Sequence, residues 1–350
     1  MAKVWEWTLQ CQITTISRSI PPRFQPMTQP HLDSIGFTSG DVEASATFFV
    51  EGLGFHRFSE PQMVEGGPYA ELVGLPGARF KLLRLGIGAE VLELTEVLDP
   101  GPGARPGRPV PVDSRSNDRW FQHSCLVVNS MEAALAGLQP AFAAGRITPI
   151  SSAPQRLPDW NTAAAGIVAY KFRDPEGHPL ELLQFPPDKG EARWHTSAVG
   201  PVLGIDHSAI GIADTDASCR FYRDLLGLSV GGDGVNSGSE QDGLDGLAGT
   251  RVHITGHRCP TGAGVECLDY REPGGGRSLA ADQSIQDLTH WQLRLRVVDL
   301  EAITAQVESC GGRLISPGIV ELADQAALIG ATRALQLADP DGHQLQLLQD

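Results

Sequence analysis

The chain has 350 residues, 41% of them hydrophobic, and a formal net charge of −15. That length and apolar content suffice for about two domains with full cores. The acidic balance leaves no basic patch to neutralise phosphates, which argues against nucleic acid or an anionic membrane as partner and for a small molecule.

Residues 1–29 read as a loose N-terminal extension. They contain Lys3, Arg18 and Arg23, are broken by Pro21 and Pro22, and hold no apolar run long enough for a signal or membrane segment. Met27 is a candidate start. The six cysteines (Cys11, Cys125, Cys219, Cys259, Cys267, Cys310) form no CxxC pair, which disfavours a thiolate metal site or a disulfide framework and fits a reducing cytoplasm.

The first unit, residues 30–105, opens on "HLDSIGFTSGDVEASATFFVEGLG" (31–54), with a strand expected near 32–38 followed by an Asp-led amphipathic helix. The second, 117–188, is expected to open on a strand near 121–128 and closes on "RDPEGHPLELLQF" (173–185). The third, 202–275, repeats the first at a constant offset of 173, with "GIDHSAIGIADTDASCRFYRDLLG" at 204–227. Its opening strand is expected at 205–212, with Asp214 or Thr215 as helix N-cap and Gly227 at C′. The fourth, 287–350, repeats the second: "GRSLAADQSIQDLTHWQLRLRVVDLEAI" (276–303) answers "GRPVPVDSRSNDRWFQHSCLVVNSMEAA" (107–134), and "ADPDGHQLQLLQD" closes the chain. Its first strand is expected near 290–297. Each unit ends in short strands punctuated by Gly, Pro and Asp, so the expected fold is α+β, four βαβββ modules in two halves, 30–190 and 200–350.

The pattern D-H-x-x-I-x-I-x-D-x-x-x-S-x-x-F-Y-x-x-x-L-G, with closing strands D-P-x-G-H-x-L-E-L, resembles the vicinal oxygen chelate superfamily, which includes glyoxalase I, extradiol dioxygenases and bleomycin-resistance proteins. The resemblance covers roughly residues 30 to 350. It implies that pairs of modules form cup-shaped sheets holding one divalent metal (Zn, Ni, Co, Mn or Fe(II)), with ligands from the first and last strands of each module.

Strand alternation aims His207 to one face together with Ile205, Ala209 and Gly211, and aims His123 to the same face as Cys125 and Val127. Glu181 stands among leucines in "PLELLQF" and Glu266 among apolar residues in "GVECLDY", where a carboxylate needs a cation or strong hydrogen bonds. A single strand histidine or glutamate is weak evidence. Jointly, His123, Glu181, His207 and Glu266 fill the family's four ligand positions in units two and three and supply an N/O set suited to such metals.

The matching positions in units one and four read Ser34, Glu93, Gln292 and Gln346, a poor set for a metal. Pairing units two and three gathers the full quartet. The rival pairing, one with two and three with four, would instead join Ser34, Glu93, His123 and Glu181. The first is the expectation.

The turn histidines His178 and His343 are expected to be exposed. The loops "RLPDWN" (156–161) and "DKGEARWH" (188–195) are candidates to border a pocket. The resemblance implies a metal-dependent isomerase or lyase of glyoxalase type, with Glu181 as general base; no residues for glutathione can be identified. The alternatives are an extradiol Fe(II) dioxygenase and a metal-free drug-binding protein. A monomer or homodimer is expected.

Overall fold

A computed structural model describes residues 29–195 and 200–350. Residues 1–28, with Met27 and Cys11, lie outside the described residues, as does most of the expected extension.

Module one runs β1 (His31–Thr38), α1 (Val42–Thr47), β2 (His56–Arg57), β3 (Gln62–Glu65), α2 (Gly67–Leu72), β4 (Arg79–Ile87) and β5 (Glu90–Asp99). Module two runs β6 (His123–Val128), α3 (Met131–Ala143), β7 (Thr148–Pro149), β8 (Gln155–Arg156), β9 (Val168–Arg173) and β10 (Pro179–Gln184). Module three follows with β11 (Val202–Ile212), α4 (Thr215–Cys219), β12 (Ser229–Ser237), α5 (Ser239–Asp245), β13 (Arg251–Arg258) and β14 (Gly264–Glu272). Module four comprises β15 (Trp291–Arg296), α6 (Leu300–Gln306), β16 (Arg313–Leu314), β17 (Val320–Glu321), α7 (Ala326–Ile329), β18 (Arg333–Ala338) and β19 (Gln344–Gln349).

The helix that follows each opening strand starts where the sequence offers a capping side chain. The carboxylates of Asp41, Asp214 and Asp299 and the hydroxyl of Ser130 accept backbone N–H bonds from the first turn. Gly54 and Gly227 end the first and third of these helical segments with φ of 81° and 77°, a conformation that penalises any side chain. No helix among the described residues is long and apolar enough to cross a membrane.

Modules pair crosswise. One sheet has the order β12-β13-β14-β11-β6-β10-β9-β7 and so joins modules two and three; the other, β16-β18-β19-β15-β1-β5-β4-β2, joins one and four. The two opening strands of each sheet lie side by side antiparallel, Ser208 opposite Ser124 in one and Ile35 opposite Leu293 in the other. Each closing strand runs parallel beside its own module's opener, as β10 does with β6 and β14 with β11. The helix-facing sides, with Leu126, Ile210, Ile35 and Leu293, share one continuous core. The opposite sides line the cups.

Two expectations fail. Strict alternation groups Ile205 with His207, but a β-bulge between them puts Ile205 in the core and carries Asp206 as well as His207 to the cavity. The same bulge recurs between Leu32 and Ser34. His178 and His343 are buried, because each D-P-x-G-H turn is covered by another module. His178 Nδ1 meets Asp174 Oδ2 at 2.9 Å and its Nε2 donates to the Leu288 carbonyl at 2.9 Å, while His343 Nε2 donates to the Gly211 carbonyl at 2.6 Å.

The repeated "GR" segments cross between the sheets. Arg277 pairs with Asp118 at 2.6 Å, and Arg108 pairs reciprocally with Asp287 at 2.9 Å. Backbone bonds Arg119 N–H to Arg277 O and Leu288 N–H to Arg108 O close the crossing. A Cβ on Gly107 would stand 1.9 Å from the Gln286 carbonyl oxygen, and one on Gly276 would stand 1.8 Å from that of Asn117. Backbone cannot yield as a flexible side chain does, so Gly107→Ala and Gly276→Ala should each destabilise by about 1–3 kcal/mol and to a similar degree. Denaturant unfolding of the two variants checks this, and a wild-type midpoint in either would contradict the crossing.

Candidate metal centre

His123 opens β6, Glu181 lies in β10 beside it, and His207 lies in β11 on its other side, so the sheet order itself brings them together. All three are buried, and one ligand atom from each lies within 4.8 Å of the others. His123 Nε2 is 3.0 Å from Glu181 Oε2. Glu266 stands outside this compact group, its Oε2 3.3 Å from His207 Nε2, with a partly exposed side chain. The four expected residues are therefore gathered on one cup, three tightly and the fourth against one of them.

Surrounding groups set the protonation. A carboxylate only accepts, so the 2.8 Å contact with Asp206 Oδ2 puts a proton on His207 Nδ1 and turns Nε2 toward the cup. Asp206 is held in turn by Arg258 Nη2 at 2.9 Å. Burial alone would lower His207, but Cys125, Glu266 and Asp206 outweigh it and hold its pKa well above the ordinary value. For His123, burial and the Lys171 charge push the pKa down, favouring the neutral imidazole that a metal requires. Burial would raise Glu181, yet Lys171, His123 and His207 bring it down to about 2. The residues fit a divalent ion: two imidazoles and an ionised carboxylate share one buried spot, with His123 Nδ1 lacking any hydrogen-bond partner and His207 Nε2 facing only Glu266 at 3.3 Å.

The other cup solves the same electrostatic problem differently. Arg294, fully buried in β15, sends Nη1 to Glu93 Oε2 at 2.7 Å and to Ser34 Oγ at 3.3 Å, and Nε to Gln346 Oε1 at 2.8 Å. Its guanidinium thus touches three of the four positions that match the ligand quartet. The fourth, Gln292, accepts from Gln336 Nε2 at 3.0 Å. Arg294 answers Cys125 in the repeat. Sequence reading passed over it, although its signal was present: an arginine on the Gln292, Arg294, Arg296 face of an otherwise apolar strand must find a buried acid.

The quartet borders a cavity of about 260 Å³, whose walls include Leu157 and Asn161 of the "RLPDWN" loop, as expected, and Gly231–Gly234 of β12. The second loop does not border it; Trp194 is buried against Val127 and Leu203 instead.

Two family models cover most of the chain. The Glyoxalase/Bleomycin resistance protein/Dioxygenase superfamily matches residues 31–182 and the Glyoxalase-like domain matches 207–348. The chain belongs to that superfamily, the vicinal oxygen chelate fold. Among solved structures it is similar to glyoxalase I from Zea mays, at 14% identity and TM-score 0.55 over 92% of both chains. It is also similar to a putative dioxygenase from Bacillus subtilis subsp. subtilis str. 168, at 15% identity and TM-score 0.51, over 91% of this chain and 84% of that one. At such identities the likeness speaks for the fold. A search of curated proteins gives no match.

Arg294→Met should leave Glu93 without its buried partner and cost about 3–5 kcal/mol. Arg294→Lys should recover only part of that, since an ammonium cannot reproduce the planar fork. Denaturation midpoints measure both, and metal uptake should remain at the wild-type level, because the candidate metal group lies in the other cup.

Proposed function

We propose that the protein is a divalent-metal-dependent enzyme of glyoxalase type, an isomerase or lyase acting on a small oxygen-chelating substrate. The observation that carries this reading is the buried convergence of His123, Glu181 and His207 on one cavity, with Glu266 at its edge. A bound ion there would act as a Lewis acid on substrate oxygens.

The chain's own residues divide the remaining work. Resemblance alone assigns the general base to Glu181. Its burial against His123, with His207 in the same compact group, suits a ligand better than a group free to reach a substrate proton. Glu266 is better placed to meet a substrate proton: it lies outside the compact group and is partly exposed, while His207 Nε2 is kept for the ion. Asp206, itself held by Arg258, fixes the orientation of His207 as a ligand.

His123→Ala and His207→Ala should each weaken metal binding by about a hundredfold or more, while Glu93→Gln should leave it unchanged. Glu266→Gln should keep nearly one metal per chain yet abolish solvent-deuterium exchange at the carbon next to a carbonyl, read by proton NMR over a panel of 2-hydroxy ketones and hemithioacetals. Full exchange in Glu266→Gln together with metal retention and lost exchange in Glu181→Gln would return the base to Glu181.

A second reading rests on one observation: two histidines and one carboxylate also form the triad used by non-haem Fe(II) oxygenases. Oxygen consumption by Fe(II)-loaded protein with catechols decides between the two. No metal uptake at all would leave a small-molecule binder.

A further inference from the structure

Beside the ligand group the cup carries a second polar cluster that metal binding does not employ. Lys171 of β9 lies directly across the ladder from Glu181 and is buried. Its ammonium donates to Asp245 Oδ1 at 2.7 Å, which uses one of three N–H donors; among the described residues no second acceptor is within hydrogen-bond distance. Gln241, also buried, donates Nε2 to Asp245 Oδ2 at 2.8 Å, and this leaves its Oε1 without a partner. The Tyr270 hydroxyl is buried close to Asp245 but makes no well-formed hydrogen bond. Asp245 thus accepts one bond at each oxygen, whereas Lys171, Gln241 and Tyr270, all lining the cavity, keep unused valences.

A buried polar group without a partner costs about 1–3 kcal/mol, so a group of them facing one cavity implies a ligand that completes them. The unused set is donors on Lys171 and Tyr270 and an acceptor on Gln241. A hydroxyl, which accepts through two lone pairs and donates one proton, matches that set, whereas an ether or a methyl does not. The neighbouring walls, Leu183, Leu244, Val252 and Leu268, are apolar.

We infer that Lys171, Gln241 and Tyr270, arranged around Asp245, form a recognition subsite for a hydroxyl group on an otherwise mainly apolar small substrate. This rests on the proposed function in that the substrate's chelating oxygens are taken to lie at the His123, Glu181 and His207 group. Asp245 is a positioning residue; Lys171, Gln241 and Tyr270 contact the substrate.

The experiment has two arms. Metal-loaded protein is titrated calorimetrically with catechol, pyrogallol and 3-methoxycatechol; metal-free protein is titrated by ligand-observed NMR with cyclohexanol and methoxycyclohexane. We expect the hydroxyl-bearing probe to bind about tenfold tighter than its ether in both arms. Tyr270→Phe, a change confined to one hydroxyl, is expected to remove most of that preference while metal content stays constant. Should Lys171→Met fail to fold because Asp245 is stranded, the pair Lys171→Met with Asp245→Asn replaces it, with the same expected loss. Equal binding of hydroxyl and ether probes, or a preference that survives both variants, would overturn the subsite. If catechol fails to bind metal-loaded protein while cyclohexanol is still preferred, the subsite stands and the chelating function falls.

Discussion

A buried carboxylate must face a positive charge, and this single requirement shapes both cups. Glu93 and Glu266 occupy matching positions in modules one and three, as Gln346 and Glu181 do in modules four and two. In the first cup the cation is covalent: Arg294 sits against Glu93, assisted by Arg84 at 2.8 Å. In the second no arginine reaches the corresponding place, Cys125 standing where Arg294 would be, and two histidines take its share of the contacts. Ser34 is then explained by more than loss of a ligand. A histidine at 34 would compete with the guanidinium for space, whereas a serine hydroxyl can accept from it at 3.3 Å.

The crosswise pairing follows from connectivity and has a functional consequence. The reciprocal ion pairs Arg277–Asp118 and Arg108–Asp287 hold the two long connections against each other, so modules two and three meet although 30–190 and 200–350 are separate halves of the sequence. His123 and Glu181 come from the first half, and His207 and Glu266 from the second. Neither half alone can build the candidate site, and any change that loosens the crossing will loosen the ligand geometry with it.

Repeat offsets made the modules, their opening strands and the quartet readable, because symmetry of sequence maps directly onto symmetry of fold. The pairing could be argued as well, since only one arrangement gathers four ligands. Other features depended on tertiary context that periodicity does not encode. Ile205 changed faces at a bulge, and the turn histidines were buried by segments distant in sequence, at Leu288 and Gly211. Asp206 became the partner of His207 because that bulge turned it inward. Lys171 was unreadable for a different reason: an isolated lysine in an apolar strand reads as a solvated edge until Asp245, seventy-odd residues away, is seen to close over it.

The two cations are not equivalent in what they permit. A guanidinium is tethered, stays charged at every accessible pH, and spends its donors on Glu93, Gln346, Ser34 and the Ile329 carbonyl, so it leaves nothing for a substrate. An exchangeable ion held by three side chains, as proposed for this cup, would have room for further oxygen ligands, and among the described residues this cup borders the cavity of about 260 Å³ with its uncompensated polar groups. The two cups therefore differ in what they leave open. The Arg294 cup commits its polar groups to a fixed internal ion pair that holds modules one and four together, and the matching positions in modules two and three keep theirs for the reaction proposed above.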